Sequence, residues 1–285
     1  MMTTTRFFCS PSADPQASKS AAKASPAQSS RRPPNILECW PKIDRRVRLA
    51  KHIVVFLDFD GTLVRLRRKP KEVFLGEPAR RVLRKLVRHQ QVTVCFISGR
   101  QLGDLRQRAR VEGALYFGLH GWERSGGNAS ALPSTRQLRE EMEWIQRQVC
   151  DLSGIRVEDK GICFGIHYRT ASKPAVEKAR ALVKEVLSRL GPDFRLMAGK
   201  KIWEIYPKDM GSKGKAAKGL LQQFPGRKLA IYAGDDTTDE TAFALLQKGV
   251  TIRVGKFQET KAKFFLRNPA EVLKFLGMLE QTLRR

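Results

Sequence analysis

IVVFLDFDGT, residues 53–62, is an oily run that ends on two aspartates spaced two apart and then a glycine. Residues i and i+2 of a strand point to the same side, so Asp58 and Asp60 project together. An apolar run without polar alternation is the pattern of a strand covered on both faces, as in a parallel sheet. The carboxyl ends of such strands are where these sheets hold their ligands. Gly61 lets the chain turn sharply and brings backbone N–H groups near whatever binds there. Close carboxylates repel and raise each other's proton affinity, so a divalent cation is an expected resident. A capped strand end with solvated aspartates is the plainer reading of this stretch taken alone.

The same texture continues outward. VTVCFIS (92–98), ALYFGL (114–119), KLAIYAG (228–234) and VTIRVG (250–255) read as further strands. PARRVLRKLVRH (78–89), GDLRQR (103–108), KGKAAKGLLQQF (213–224) and DETAFALLQK (239–248) read as helices between them, the alternation of a parallel sheet with crossovers. Between about 124 and 206 the pattern changes to two long helical stretches, STRQLREEMEWIQRQV and KPAVEKARALVKEVLSRL. Each is followed by a hairpin-like pair, IRVEDKGICFGIHYRT and FRLMAGKKIWEIYP. The expected fold class is α/β with a parallel sheet and an inserted α+β unit. The core is expected over 36–123 and 207–285, with the insert over 124–206. Residues 1–35 are rich in Ser, Ala, Pro and Lys and too poor in large apolar side chains to offset the entropy of ordering, so they read as a disordered tail.

The chain has 285 residues, 41% of them hydrophobic, and a net charge of +26. That is enough chain for a large core. The charge suits nucleic acid, an acidic surface or small anionic substrates and does not choose among them. Residues 1–35 hold only +4 of it, which leaves +22 on the rest. PARRVLRKLVRH shows how it is carried: Val82, Leu83, Leu86 and Val87 share one helical face, and Arg80, Arg81, Arg84, Lys85 and Arg88 point outward as a solvated basic face. The five cysteines are scattered and form no C-x-x-C pair, which argues against zinc or redox work and fits reduced thiols in a cytoplasm. No apolar run approaches the roughly 18 residues needed to cross a bilayer. The low acidity of the first 35 residues is shared with transit peptides, but the Arg-studded amphipathic pattern is lacking.

Three further sites follow in order. Ser98 ends a strand ahead of Gly99 and Arg100, where its hydroxyl and the next N–H groups suit a phosphate. Lys213 stands at a helix start, where the dipole disfavours a cation unless an anion lies near. YAGDDTTDETAF (232–243) crowds Asp235, Asp236, Asp239 and Glu240 into one turn, more acid than a cap requires and a hard oxygen set suited to Mg²⁺.

Taken in order, D-x-D-G-T, S-G-R, the lysine and G-D-D-x-x-D-E resemble the haloacid dehalogenase (HAD) superfamily of phosphatases. FGLHGWE (117–123), VEDK and HYR (157–160, 167–169), GKKIWEIYP (199–207), GSKGKA (211–216), GDDTTDETAF (234–243) and T-x-A-x-x-x-L (260–266) narrow the resemblance to the trehalose-6-phosphate phosphatase family, over residues 50–280. It implies a HAD-like Rossmannoid core with a cap, and Mg²⁺-dependent hydrolysis of trehalose 6-phosphate. Asp58 would form an aspartyl-phosphate, Asp60 would protonate the leaving oxygen and then activate water, and Ser98 and Lys213 would hold the phosphoryl oxygens. Mg²⁺ would sit on Asp58, the Asp60 backbone carbonyl and Asp235, with Asp236 and Asp239 in support. The cap would read the distal sugar through Glu158, Lys160, Arg169, Glu204 and Lys200. The implied partner is a small sugar phosphate, with no nucleic acid and no membrane.

The chain departs from the family after D-G-T-L, where VRLRRKP sets Pro70 back and packs Arg65, Arg67, Arg68 and Lys69 beside the site. For His120, beside a glycine turn, a structural hydrogen bond is expected ahead of catalysis; His167 and Tyr168 are expected to pack the insert's sheet. Two other readings stay open. One is a phosphatase for sucrose phosphate or glucosylglycerol phosphate. The other is a basic polyanion binder with a vestigial site, against which stand the full set of chemical residues and the lack of a motif with stacking aromatics.

Overall fold

The structure, a computed structural model, describes residues 32–67, 72–124, 135–208, 210–256 and 259–284. The expected tail lies outside them as far as residue 31, and so do Arg68, Lys69 and Pro70. The described chain opens with helix α1 (Trp40–Arg48) and then alternates: β1 (His52–Leu57), α2 (Glu77–Val87), β2 (Val92–Ile97), α3 (Leu102–Ala109), β3 (Leu115–Gly118) and the short β4 (Glu123–Arg124). A second set follows, α4 (Thr135–Gln148), β5 (Arg156–Asp159), β6 (Phe164–His167), α5 (Lys173–Leu190), β7 (Phe194–Gly199) and β8 (Ile202–Pro207). The alternation then resumes with α6 (Lys213–Gln222), β9 (Lys228–Gly234), α7 (Glu240–Leu245), β10 (Val250–Val254), β11 (Phe264–Leu266) and α8 (Pro269–Leu283).

The larger sheet has the order β11-β10-β9-β1-β2-β3-β4. All its pairings are parallel except β3 with β4. Its centre, β1, is buried on both faces, which is why its sequence shows no alternation. Ile53, Val55, Leu57 and Phe59 pack with residues of α1, α2, α3 and α8. Val54 and Phe56 pack with Ala217 and Leu220 of α6 and Ala242 and Phe243 of α7. Burying each valine, leucine, isoleucine or phenylalanine among these contributes about 1.5–3 kcal/mol.

The smaller sheet is antiparallel, in the order β5-β6-β8-β7. Here the period is two. Phe164, Ile166, Trp203 and Ile205 face the apolar stripes of α4 and α5, among them Ile145, Ala179, Val183 and Val186. The alternate residues, Glu158, His167, Ile202 and Glu204, line a cleft beside the larger sheet.

Several elements differ from the sequence expectation. DETAFALLQK is a 3₁₀ turn at Thr237–Asp239 followed by six residues of α-helix, because Asp236 caps the turn and Leu246 leaves helical geometry. The strand expected over 114–119 stops at Gly118, since Leu119 and His120 take left-handed backbone. Residues 34–36, where the tail was expected to give way to the core, pair with β11: Phe265 N donates to Pro34 O at 3.1 Å and Ile36 N to Phe265 O at 3.3 Å. Backbone pairing does not depend on the apolar content by which the tail was judged. Among the described residues no helix is long and apolar enough to cross a membrane.

Candidate active site

Asp58 follows the last residue of β1, and its N–H still donates to Ala233 O at 3.0 Å, so the sheet fixes its backbone. The residue is 4% exposed. Lys213, at the first position of α6, reaches it: Nζ donates to Asp58 Oδ1 at 2.7 Å and to Asp239 Oδ1 at 2.9 Å. Asp239 also accepts from Tyr232 OH at 2.8 Å and from the Asp236 N–H at 2.9 Å. Asp235 completes the group. One of its oxygens meets Lys200 Nζ, and the other, Oδ1, is buried without a partner among the described residues. Gly61 has φ +86°, and a Cβ there would lie 1.9 Å from Asp235 Oδ2, so close approach as well as backbone conformation demands glycine.

Oxygens of Asp58, Asp235 and Asp239 all lie within 4.8 Å of one another. Burial pushes the Asp58 carboxyl well up; Lys213 pulls it back, and Asp239 and Asp235 push it further. Burial also lifts Asp235, to about 6, against the pull of Lys200. Burial acts to lower Lys213, yet Asp239 and Asp58 hold its ammonium above the ordinary value. The cluster therefore carries more carboxylate than its own lysines relieve. Three hard oxygen donors, one with an orphaned buried oxygen, fit a small divalent cation.

The Asp60 carboxylate is not part of that group. Arg100 holds it with two bonds, Nε to Oδ2 at 2.5 Å and Nη2 to Oδ1 at 2.8 Å, and Arg100 Nη1 is itself fixed by Asp104 at 2.7 Å. The turn Ser98–Arg100 lies against the end of β3 and the segment after it. Ser98 N donates to Phe117 O at 3.0 Å, Leu119 N to Arg100 O at 2.8 Å and His120 N to Ser98 O at 2.9 Å. Glu123 braces the far end of the turn, accepting from Leu102 N at 2.5 Å.

A cleft of about 590 Å³ lies between Asp58, Ser98 and Lys213 on one side and the polar face of the smaller sheet on the other. That is a usual volume for a small-molecule site. Glu158 faces it hydrogen-bonded to His167, whose Nε2 lies 2.6 Å from Oε2. Burial acts to raise Glu158, but His167 and Lys160 hold it below the usual carboxylate range. Arg169 is exposed at the rim, donating to Lys200 O at 2.9 Å. Lys160 and Glu204 are buried: Lys160 Nζ donates to Glu204 Oε1 at 2.5 Å and to Gly99 O at 2.9 Å, and His120 Nε2 lies 2.9 Å from Glu204 Oε2.

Residues 56–270 match the family model for trehalose-phosphatase. The chain belongs to that family. A probable trehalose-phosphate phosphatase of Oryza sativa subsp. japonica is 31% identical over 257 residues, covering 80% of this chain and 69% of that protein. An uncharacterized glycosyl hydrolase of Mycobacterium tuberculosis is 31% identical over 263 residues, which are 86% of this chain but 19% of that much longer relative. The solved C-terminal domain of a trehalose-6-phosphate phosphatase from C. albicans has a TM-score of 0.78 at 22% identity, covering 89% of this chain and 99% of that one, a likeness of fold.

Of the residues picked from the sequence of this trehalose-phosphatase family member, Asp58, Asp60, Ser98, Lys200, Lys213, Asp235 and Asp236 all line the one cleft, as do Glu158, Lys160, Arg169 and Glu204. Asp239 lies behind them, fully buried. The carboxylates of Asp60 and Asp236 stand apart from the metal-suited group, Asp236 because it caps the 3₁₀ turn. Sequence reasoning gave no role to Arg100, to Tyr232 or to the link from His120 to Glu204. Arg100 carried a readable sign, as the last residue of S-G-R at a strand end. The other two depend on pairings that no local pattern reveals.

Proposed function

We propose that the protein hydrolyses the phosphate monoester of trehalose 6-phosphate, releasing trehalose and phosphate, with Mg²⁺ as cofactor. The observation that supports this most is a buried carboxylate, Asp58, at the end of a parallel strand, beside Lys213 and two further buried carboxylates and open to a polar cleft. Asp58, the Asp60 backbone carbonyl and Asp235 would hold the metal, with Asp239 behind them. Bound there, the ion would neutralise charge on the phosphoryl group and orient it.

Asp58 is the nucleophile: one of its oxygens attacks phosphorus, the P–O bond to the sugar breaks, and an aspartyl-phosphate forms. Asp60, protonated once its carboxylate leaves the two Arg100 bonds it makes here, gives that proton to the departing sugar oxygen. It then takes a proton from the water that attacks the aspartyl-phosphate. Ser98 and Lys213 hold phosphoryl oxygens. The smaller sheet with its helices, from α4 to β8 (Thr135–Pro207), acts as a cap, and Glu158, Arg169 and Lys200 contact the sugar, with Lys160 and Glu204 completing that wall. The four described cysteines are free, in keeping with a reducing, cytoplasmic setting.

The test is inorganic phosphate released from trehalose 6-phosphate by the purified protein with Mg²⁺, with and without a chelator. Release that stops with the chelator is expected. Release from sucrose phosphate at an equal or greater rate would overturn the substrate assignment.

A further inference from the structure

Strand β10, VTIRV, is buried along its whole length, and Arg253 is its one charged residue, 4% exposed. Val250, Ile252 and Val254 pack on the side of the sheet that carries α8, and Arg253 faces the other way. A charge so buried is tolerated where it is paired and hydrogen-bonded. In register, Arg253 stands beside Gly234 of β9, the residue before Asp235. Its Nη1 donates to Asp236 O at 2.9 Å and to Glu240 Oε1 at 3.1 Å. Glu240, the first residue of α7, also accepts from Thr260 Oγ1 at 2.7 Å and, on Oε2, from Lys261 N at 2.8 Å. The turn that carries Asp235 and Asp239 is thereby clamped from outside by two groups that do not line the cleft. Inside the turn there is little slack. Asp236 N donates to Asp239 Oδ2 at 2.9 Å, and a Cβ on Gly234 would overlap the Asp239 carboxyl.

We propose that Arg253 and Glu240 are positioning residues for the cation site: they fix the Gly234–Asp239 turn, and with it the spacing of the Asp235 and Asp239 oxygens from Asp58. The inference rests on the cofactor part of the reading above. A small hard cation such as Mg²⁺ demands near-ideal ligand geometry, so a turn free to shift binds it less tightly. The Glu240 carboxylate, held by three donors, is outside the group of oxygens suited to the metal and supports the site without being a ligand. The clamp also gives a place to two sequence features that the chemistry leaves over, Glu240 in the acid-rich turn and Thr260 at the head of T-x-A-x-x-x-L.

The test is Mn²⁺ binding to the full chain, read from the electron paramagnetic resonance signal of the free ion, for the unaltered protein, Arg253→Met and Glu240→Gln, with a thermal melt of each. Both variants are expected to bind Mn²⁺ about ten- to a hundredfold less tightly, the effect of removing an outer partner of a metal site. Arg253→Lys, which keeps a cationic donor where one nitrogen makes both bonds, is expected to recover part of that affinity. In phosphate release from trehalose 6-phosphate, the variants are expected to need about tenfold or more additional Mg²⁺ for half-maximal rate and to approach the unaltered kcat and KM once Mg²⁺ saturates. An unchanged Mn²⁺ affinity in folded Arg253→Met overturns the proposal, as does a loss of kcat that saturating Mg²⁺ leaves in place. If Arg253→Met does not fold, Thr260→Val, which takes one donor from Glu240 at the edge of the network, is measured instead: weaker Mn²⁺ binding supports the inference and unchanged binding overturns it. If the unaltered protein binds no Mn²⁺, the cofactor reading fails and this inference with it. If it binds Mn²⁺ but releases no phosphate, the substrate reading alone fails, and the Mn²⁺ affinities still decide the inference.

Discussion

Lys213 is a cation at the first position of a helix, where the dipole opposes it. Asp58 and Asp239 supply the anions that offset this, at 2.7 and 2.9 Å. One lysine thus ties the strand end at Asp58 to the turn after β9. Because Asp58 and Asp60 sit in different surroundings, their variants should behave differently. Asp58→Asn is expected to lower kcat by about 10³-fold or more, the cost of losing a nucleophile. Asp60→Asn should slow turnover while still binding substrate; near-normal phosphate release by Asp58→Asn would dismiss the mechanism. Gly61→Ala is expected to destabilise by more than about 1 kcal/mol, since it strains the φ and drives a methyl group into Asp235. A urea titration reads that loss, and an unchanged midpoint would mean that Asp235 has room to move. Asp58, Ser98, Lys213 and Asp235 were legible in the sequence because each ends a strand or starts a helix, and the topology brings those ends together. The bonds of Arg100 to Asp60, 40 residues away, and of His120 to Glu204, 84 residues away, were not, because local pattern carries no information about partners that distant.

The smaller sheet shows how a period of two divides work between faces. In register, Glu158 pairs with Gly165 and Gly165 with Glu204, so the two acids flank a residue with no side chain. Their neighbours Val157, Ile166 and Trp203 turn the other way, into the helices. Glu158 is half-buried and Arg169 exposed, and both line the cleft. Charged hydrogen bonds to a sugar contribute about 1.5–3 kcal/mol each. Glu158→Ala or Arg169→Ala should therefore cut kcat/KM for trehalose 6-phosphate by roughly tenfold to a few hundredfold and barely alter that for an aryl phosphate. Equal losses on both esters would show that these residues support folding or the chemistry itself. Helix α5 was readable to the residue, with Ser172 as its cap and Gly191 at its end. The sequence reading omitted α8, although Asn268, Pro269 and Glu271 form a helix start that could have been found. Strand β11 has three residues, too few for any alternation to register.

The two sheets meet across a buried ion chain, and such a contact gives the whole fold a pH window. Burial acts to raise Glu204, but Lys160 and His120 hold it well below its ordinary 4.5. Burial acts to lower Lys160, but Glu204 holds it above its ordinary 10.5. For a carboxylate depressed by folding, the stabilisation is complete above the unfolded value and is lost as pH falls through the folded one. For a raised lysine it is complete below the unfolded value and is lost as pH rises through the folded one. The pair is therefore at full strength between 4.5 and 10.5. Other acids respond in the opposite sense, since burial raises Asp58 and Asp235, so the total pH profile mixes signs. The difference between the unaltered protein and Glu204→Gln removes those common contributions. Taking one partner from a buried pair costs about 3–5 kcal/mol, because it leaves the other charge uncompensated. Urea midpoints should give a gap of that size at about pH 7 that is unchanged at about pH 5. It should narrow below about pH 4, as Glu204 takes up its proton and comes to resemble the glutamine that replaces it. A gap as wide at about pH 3 as at about pH 7 would mean that the charge on Glu204 does not hold the sheets together.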